Sequence, residues 1–256
     1  SLVMLAALAQ PVDEGVVDWL ALARAYGRDM DVGLRRHFVD PTKPFADLVL
    51  APAHGVLMTS ATLRDKLPEE EMDDAQWQSA DSRTGAQHLI LPAKRFSAPS
   101  PFDYGAQTRL IVVQDVDKRD TAAVAAAYRR LFLASGGGAL GLFTAIASLN
   151  KTHASIFEDL LGAGLPLYAQ HVDPIDPGTL VDIFREDAKS CLLGTDALRD
   201  GIDVPGEALR LIVMDRVPWP RPSILHRARR SAVGGRSYDD MLARFKLIQA
   251  YGRLLR

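Results

Sequence analysis

Gly136-Gly137-Gly138-Ala139-Leu140-Gly141 spells a glycine-rich string of the kind that lets a backbone approach a pyrophosphate. Acidic Glu158 follows about twenty residues on, where a ribose ligand would stand. That chemistry needs the glycines after a strand and ahead of a helix, so that helix N-terminal amides face the phosphates. Here the apolar periodicity puts a helix before them and a strand after, so the string reads as a left-handed helix cap that turns the chain into a sheet. A second concentration of chemistry is Arg216, Arg221, Arg227, Arg229, Arg230 and Arg236, with no carboxylate from Arg216 to Tyr238. It is a candidate anion-facing surface, set against the reading that its arginines pair with acids elsewhere in the fold.

Other chemistries find no support in the spacing. The six histidines show no His-Glu-x-x-His pattern, and no Gly-x-Ser-x-Gly elbow occurs. No Gly-x-x-x-x-Gly-Lys-Ser/Thr loop is present, so an ATP site would need completion by sequence outside these 256 residues. The lone Cys191 excludes a disulfide framework and any zinc or iron–sulfur site built wholly from this chain's thiolates. A reducing, cytoplasmic setting is the expectation. Leu2 to Leu8 is apolar but too short to span a bilayer, and it reads as part of a buried helix. No membrane partner is expected. A hydrophobic content of 48% supports a true core, and the net charge of -2 conceals an acid-rich stretch from Asp65 to Asp81.

The elements that would position these residues follow from periodicity. Val17, Leu20, Leu22 and Tyr26 predict helix across Asp13 to Arg36, ending before the Asp40-Pro41 turn signal. Gly55 to Ser60 reads as a short buried strand, and the polar, proline-punctuated stretch from Leu63 to Ser100 as a linker region. Strands are then expected at Leu110–Gln114, Ala139–Thr144, Leu167–Gln170, Ser190–Gly194 and Leu209–Met214. Helices are expected at Thr121–Ala134, Ser148–Leu161, Pro177–Asp187 and from Tyr238 onward. Apolar strands alternating with helices imply an α/β fold with a mainly parallel sheet covered on both faces. Ligands of such sheets bind at the carboxyl ends of the strands, which directs attention to Thr144, Thr195 and Asp215.

From Cys191 to Pro222 a buried strand leads to the polar turn Gly194-Thr195-Asp196, then to Asp200-Gly201-Ile202-Asp203 and a second strand. This segment resembles motif V of DinG/XPD-type helicases of superfamily 2, a strand ending in Gly-Thr followed by Glu-Gly-Val/Ile-Asp-Val-Pro-Gly and a Leu-Pro-Phe segment. Asp200 stands for the usual Glu, Trp219 for the usual Phe, and Arg199 where many members carry Trp. Four more segments agree in order. Thr59-Ser60-Ala61-Thr62-Leu63 resembles motif III, and Pro99 to Tyr104 the entry to the second motor domain. Gly138 to Thr144 resembles motif IV, and Gln249-Ala250-Tyr251-Gly252-Arg253-Leu254-Leu255-Arg256 the Gln-x-x-Gly-Arg-x-x-Arg of motif VI.

The resemblance implies a RecA-like fold lacking its P-loop half. Residues 1–63 would be a remnant of the first motor domain, 64–100 a linker region, and 101–256 the second motor domain. It implies ATP and Mg²⁺, with the site completed by the first motor domain of the same protein. Gln249, Asp203 and Gly201 would face ATP, and Arg253 and Arg256, projecting from one helix face, would be finger residues. Thr144, Gly194 and Thr195 would hold single-stranded DNA by its phosphates, and movement would run 5′ to 3′. Asp203 would link the ATP cleft to the DNA track. Two readings from other classes compete: a Rossmann-like cofactor domain using Gly136 to Gly141, and a catalytically silent scaffold. A P-loop and an Asp-Glu-x-His box encoded upstream would separate a motor from a scaffold.

Overall fold

The computed structural model describes residues 6, 13–64, 73–195, 198, 203–204 and 206–254. The run Leu2 to Leu8 (apart from Ala6), Asp196, Arg199, Asp200, Gly201, Ile202 and Arg256, together with Asp65–Met72 of the acid-rich stretch, lie outside the described residues. In chain order the principal elements are β1 Val16–Ala25, β2 Arg28–Phe38, α1 Asp73–Thr84, α2 Thr121–Ser135, β3 Ala139–Phe143 and α3 Ile146–Gly162. They continue with β4 Leu167–Ala169, α4 Pro177–Glu186, β5 Cys191–Thr195, β6 Leu211–Met214, α5 Ile224–Val233 and α6 Arg236–Tyr251. The chain divides into two compact units. One is Ser1–Ala98 with Pro220–Leu242, the other Pro99–Trp219 with Ala243–Arg256.

In the first unit, the helix expected over Asp13 to Arg36 is instead an antiparallel hairpin of β1 and β2. Asp29-Met30-Asp31-Val32 alternates polar with apolar residues, the period of a strand, and Val16, Val17 and Trp19 favour extended backbone. Tyr26 and Gly27 form the two-residue connection, both with positive φ (53° and 74°), as in a type I′ hairpin turn. Pairings across the ladder supply what no local count could: Asp18 with Arg36 at 2.7 Å and Trp19 stacked on His37 at 4.9 Å. Arg229 of α5, a helix absent from the sequence expectations, donates to the carbonyls of Phe38 and Val39 where β2 ends.

The buried strand expected at Gly55 to Ser60 is instead a segment without regular secondary structure or a ladder, and Leu57 is 87% exposed. A strand needs a neighbour to satisfy its backbone groups, and none of the described residues pairs here. The polar stretch beyond it contains α1. Its buried Trp77 and Ala80 lie three residues apart on one face, a stripe too narrow to stand out from the polar composition. Arg83 of α1 donates to the carbonyls of Thr62 and Leu63.

The second unit holds a four-stranded parallel sheet in the order β4-β5-β3-β6. Alternation along β3 sends Ala139 and Phe143 to one face, against Tyr128 and Phe132 of α2 and Ile156 and Leu160 of α3. Leu140 and Leu142 face the opposite layer, where Leu180, Val181 and Phe184 of α4 pack. Both faces are therefore dry, as the near-continuous apolar runs in β3 and β5 demand. Asp120 and Asp176 cap α2 and α4 by accepting backbone N–H groups at 2.9–3.1 Å, and Pro177 fits the first turn of α4, where its missing N–H is not needed. The strand expected at Leu110–Gln114 is instead a segment without regular secondary structure, outside the sheet; Leu110 is 86% exposed. Its composition suits a strand, but no sheet edge receives it among the described residues.

The glycine string acts as a cap. Gly136, with φ 64°, ends α2 in the left-handed region, and its N–H donates to Leu133 O at 3.2 Å. Gly137, at φ 98°, crosses the backbone of Lys189 so closely that an added Cβ would lie 2.6 Å from the Lys189 carbonyl carbon. Gly137→Ala is therefore expected to destabilise the fold by about 3 kcal/mol, from backbone strain plus a contact that no flexible side chain can relieve. Thermal or urea unfolding checks this, and a variant as stable as the parent would refute the close approach.

Candidate functional site

The parallel register brings the four strand ends level. Phe143 pairs with Thr195, Ala169 with Leu193, and Leu142 with Met214. Gln170, Thr195, Thr144 and Asp215 consequently form a polar row along the carboxyl edge. Two closed pairs make it up. Gln170 Oε1 accepts from both the backbone N–H and the hydroxyl of Thr195, each at 3.0 Å. Asp215 Oδ1 accepts from the Thr144 N–H at 3.1 Å, and Oδ2 from the Thr144 hydroxyl at 3.3 Å and from Arg216 Nε at 3.0 Å. The Asp215 side chain is only 3% exposed, whereas that of Arg216 is 43% exposed. Beneath them Tyr128 donates towards the carbonyls of Leu142 and Val213. Burial, and then the charge of Asp215, push the Tyr128 phenol well above its usual value, so it remains a neutral donor.

Gly194 has a packing reason for its small size: a Cβ there would run into the buried Leu198, whose Cγ lies 2.9 Å away. Asp203 is exposed, and its carbonyl accepts from Arg185 Nε at 3.0 Å. Gly201 lies outside the described residues, as does Arg256. Gln249 is exposed on the last turn of α6. Arg253, expected on a helix face, sits instead in a turn after α6 ends at Tyr251, its N–H donating to Ala250 O at 3.2 Å. Gly252 weakens helix continuation there, and Tyr251 is anchored by its hydroxyl to Thr108 and by ring packing to Tyr104 at 5.6 Å. The structure thus gathers Thr144, Gly194 and Thr195 at the sheet edge, and Gln249 with Arg253 at the end of α6.

The motifs do not single out Gln170, and they mark Arg216 only as one of the basic cluster. Each is nevertheless the first or second polar residue after an apolar strand, a signal the sequence carries. Within that cluster Arg216, Arg229 and Arg230 have protein partners, Arg230 with Asp239 at 2.7 Å, which agrees in part with the pairing reading. The Gly138 N–H donates to Ser190 O at 2.9 Å, and its carbonyl accepts from Arg210 and Leu211. Backbone groups that a dinucleotide would need are thereby engaged at the amino edge, away from the polar row. Burial pushes the Cys191 thiol up to about 12. Among the described residues no group of three or more His, Cys, Asp or Glu could hold a metal ion, and no helix is long and apolar enough to cross a membrane.

Comparison with known proteins finds that the helicase C-terminal domain family matches residues 128–256. The chain is 33% identical over 223 residues to the ATP-dependent helicase DinG of Mycobacterium tuberculosis (strain ATCC 25618 / H37Rv), covering 82% of this chain and 31% of that protein. It is 28% identical over 238 residues to the ATP-dependent DNA helicase YoaA of Escherichia coli (strain K12), covering 86% and 35%. It is 27% identical over 217 residues to the 3′-5′ exonuclease DinG of Bacillus subtilis (strain 168), covering 82% and 22%. The chain therefore spans about a third or less of the length of these relatives.

Proposed function

Since the chain belongs to the helicase C-terminal domain family, of DinG type, we propose that it is the second motor half of an ATP-dependent DNA helicase. Residues 1–63 are then the end of the first motor domain, 64–100 the linker region, and 101–256 the second RecA-like domain. In this reading the protein works in the cytoplasm and moves 5′ to 3′ along single-stranded DNA. The observation that carries the DNA track is the polar row of Gln170, Thr195, Thr144 and Asp215 at the carboxyl edge of a parallel sheet. Thr144, Gly194 and Thr195 line this track. A strand crossing this edge would be gripped by its backbone without its bases being read, as a translocating motor requires.

ATP is held between this half and the first motor domain, with Gln249, Gly201 and Asp203 on the side of this chain. Arg253 and Arg256 supply guanidinium groups that stabilise charge on the transferring phosphoryl. Mg²⁺ would be held by the first motor domain.

Unwinding by the full-length protein tests this function. Duplexes bearing a 5′ single-stranded tail should be opened in the presence of ATP, and those with only a 3′ tail should not. Opening from the 3′ tail would reverse the polarity, and ATP turnover indifferent to single-stranded DNA would remove the motor reading altogether.

A further inference from the structure

The threonines at the strand ends do not face a ligand with their donors. A phosphate oxygen only accepts hydrogen bonds, so whatever holds it must bring an N–H or O–H. The N–H and hydroxyl of Thr195 both donate to Gln170, and those of Thr144 both donate to Asp215. Thr195 is itself only 8% exposed. The donors for a strand crossing this edge must come from elsewhere.

The loop that follows β6 supplies them. Asp215, buried behind Thr144, holds Arg216 by Nε and leaves the rest of an exposed guanidinium fork outside. Three residues on, Trp219 presents an indole that is 50% exposed although it is a large aromatic. The loop between them is not slack: Pro218 is buried, and the Trp219 N–H donates to Val217 O at 2.8 Å in a tight turn. A charged phosphate donor and an exposed aromatic plane on one short anchored loop are the two parts that single-stranded nucleic acid requires, one for the backbone and one for a base.

We infer that Arg216 and Trp219 form a single-stranded DNA clamp, Arg216 holding a phosphate and Trp219 stacking on a base, with Asp215 as the positioning residue that orients Arg216. This rests on the helicase reading above. The lock on Arg216 explains why an acid stands so close to a DNA track: the carboxylate is covered by its partners, and its charge orients the fork instead of meeting the strand.

The test is binding of a fluorescein-labelled mixed-sequence oligonucleotide to the full-length protein across a salt series, with thermal unfolding of each variant alongside. Arg216→Gln should weaken affinity about tenfold and lower the slope of log K against log salt by about 0.7, the loss of one phosphate contact on a single strand. Trp219→Ala should weaken it about tenfold or more with the slope unchanged, because stacking releases no counterions, and Trp219→Phe should recover most of that loss. Asp215→Asn is the sharpest arm. Removing a negative charge beside DNA should strengthen binding if the acid merely repels the strand, whereas loss of the lock on Arg216 should weaken it several-fold. Tighter binding by Asp215→Asn overturns the positioning role. Parent-like affinity and slope in Arg216→Gln, or parent-like affinity in Trp219→Ala, overturns the clamp. A parent protein that binds no single-stranded DNA would instead refute the helicase reading, and the clamp with it.

Discussion

Arg253→Ala in the full-length protein is expected to slow ATP turnover by about 10³-fold or more while leaving single-stranded DNA affinity near that of the parent. An arginine finger acts only as charge accumulates on the transferring phosphoryl, so its loss falls on turnover and not on the grip of the track. The geometry gives the prediction its edge. Arg253 stands just beyond the end of α6, with Gly252 before it and Tyr251 fastened to Tyr104 and Thr108, so the guanidinium springs from an anchored bend instead of a free helix end. Arg253→Lys should not restore activity, because a point charge does not replace a planar fork facing two oxygens. Steady-state phosphate release and oligonucleotide binding, measured on the same preparations, decide it. Abolished DNA binding with hydrolysis intact would make Arg253 a track contact and reverse the assignment.

The 256-residue chain by itself is expected to show no ATP turnover, with or without single-stranded DNA. Phosphoryl transfer in this class needs a P-loop lysine and metal ligands, and the sequence contains no Gly-x-x-x-x-Gly-Lys-Ser/Thr loop. In the proposed reading the chain's own arginines would stabilise charge on the phosphoryl, a role that does not replace a cradle for the triphosphate. Malachite-green measurement of phosphate release on rigorously purified material checks this. Turnover that Arg253→Ala abolishes would show that a complete active site is present within these residues.

Much of the second unit is legible in the sequence. Strands β3, β4, β5 and β6 and helices α2, α3 and α4 lie within two residues of their expected bounds, because buried parallel strands write themselves as apolar runs and their helices as amphipathic ones. The glycine string is legible for the same reason: the order of its flanking elements already opposes a dinucleotide loop, and Gly136 does cap α2. The first unit is less legible. Its hairpin imitates a helix in sequence because Val17, Leu20, Leu22 and Tyr26 fit a loose helical count, while the pairs that hold it, such as Asp18 with Arg36, are 18 residues apart along the chain.

Residue type and linear spacing suffice for the α/β alternation, the order of the motif segments and the lack of a P-loop in these 256 residues, since all three are properties of one dimension. Which polar groups at the sheet edge remain available is fixed only in three dimensions. Thr144 and Thr195 look like ligand donors in the sequence, yet the register of β3, β5 and β6 sets each beside an acceptor. Asp215 then turns inward to hold Thr144 and Arg216, leaving the fork of Arg216 at the surface. The physical reason is that a hydroxyl has one proton to give. Where that proton goes depends on a neighbour 25 residues away in the chain for Thr195 and 71 away for Thr144, and no local pattern encodes such a distance.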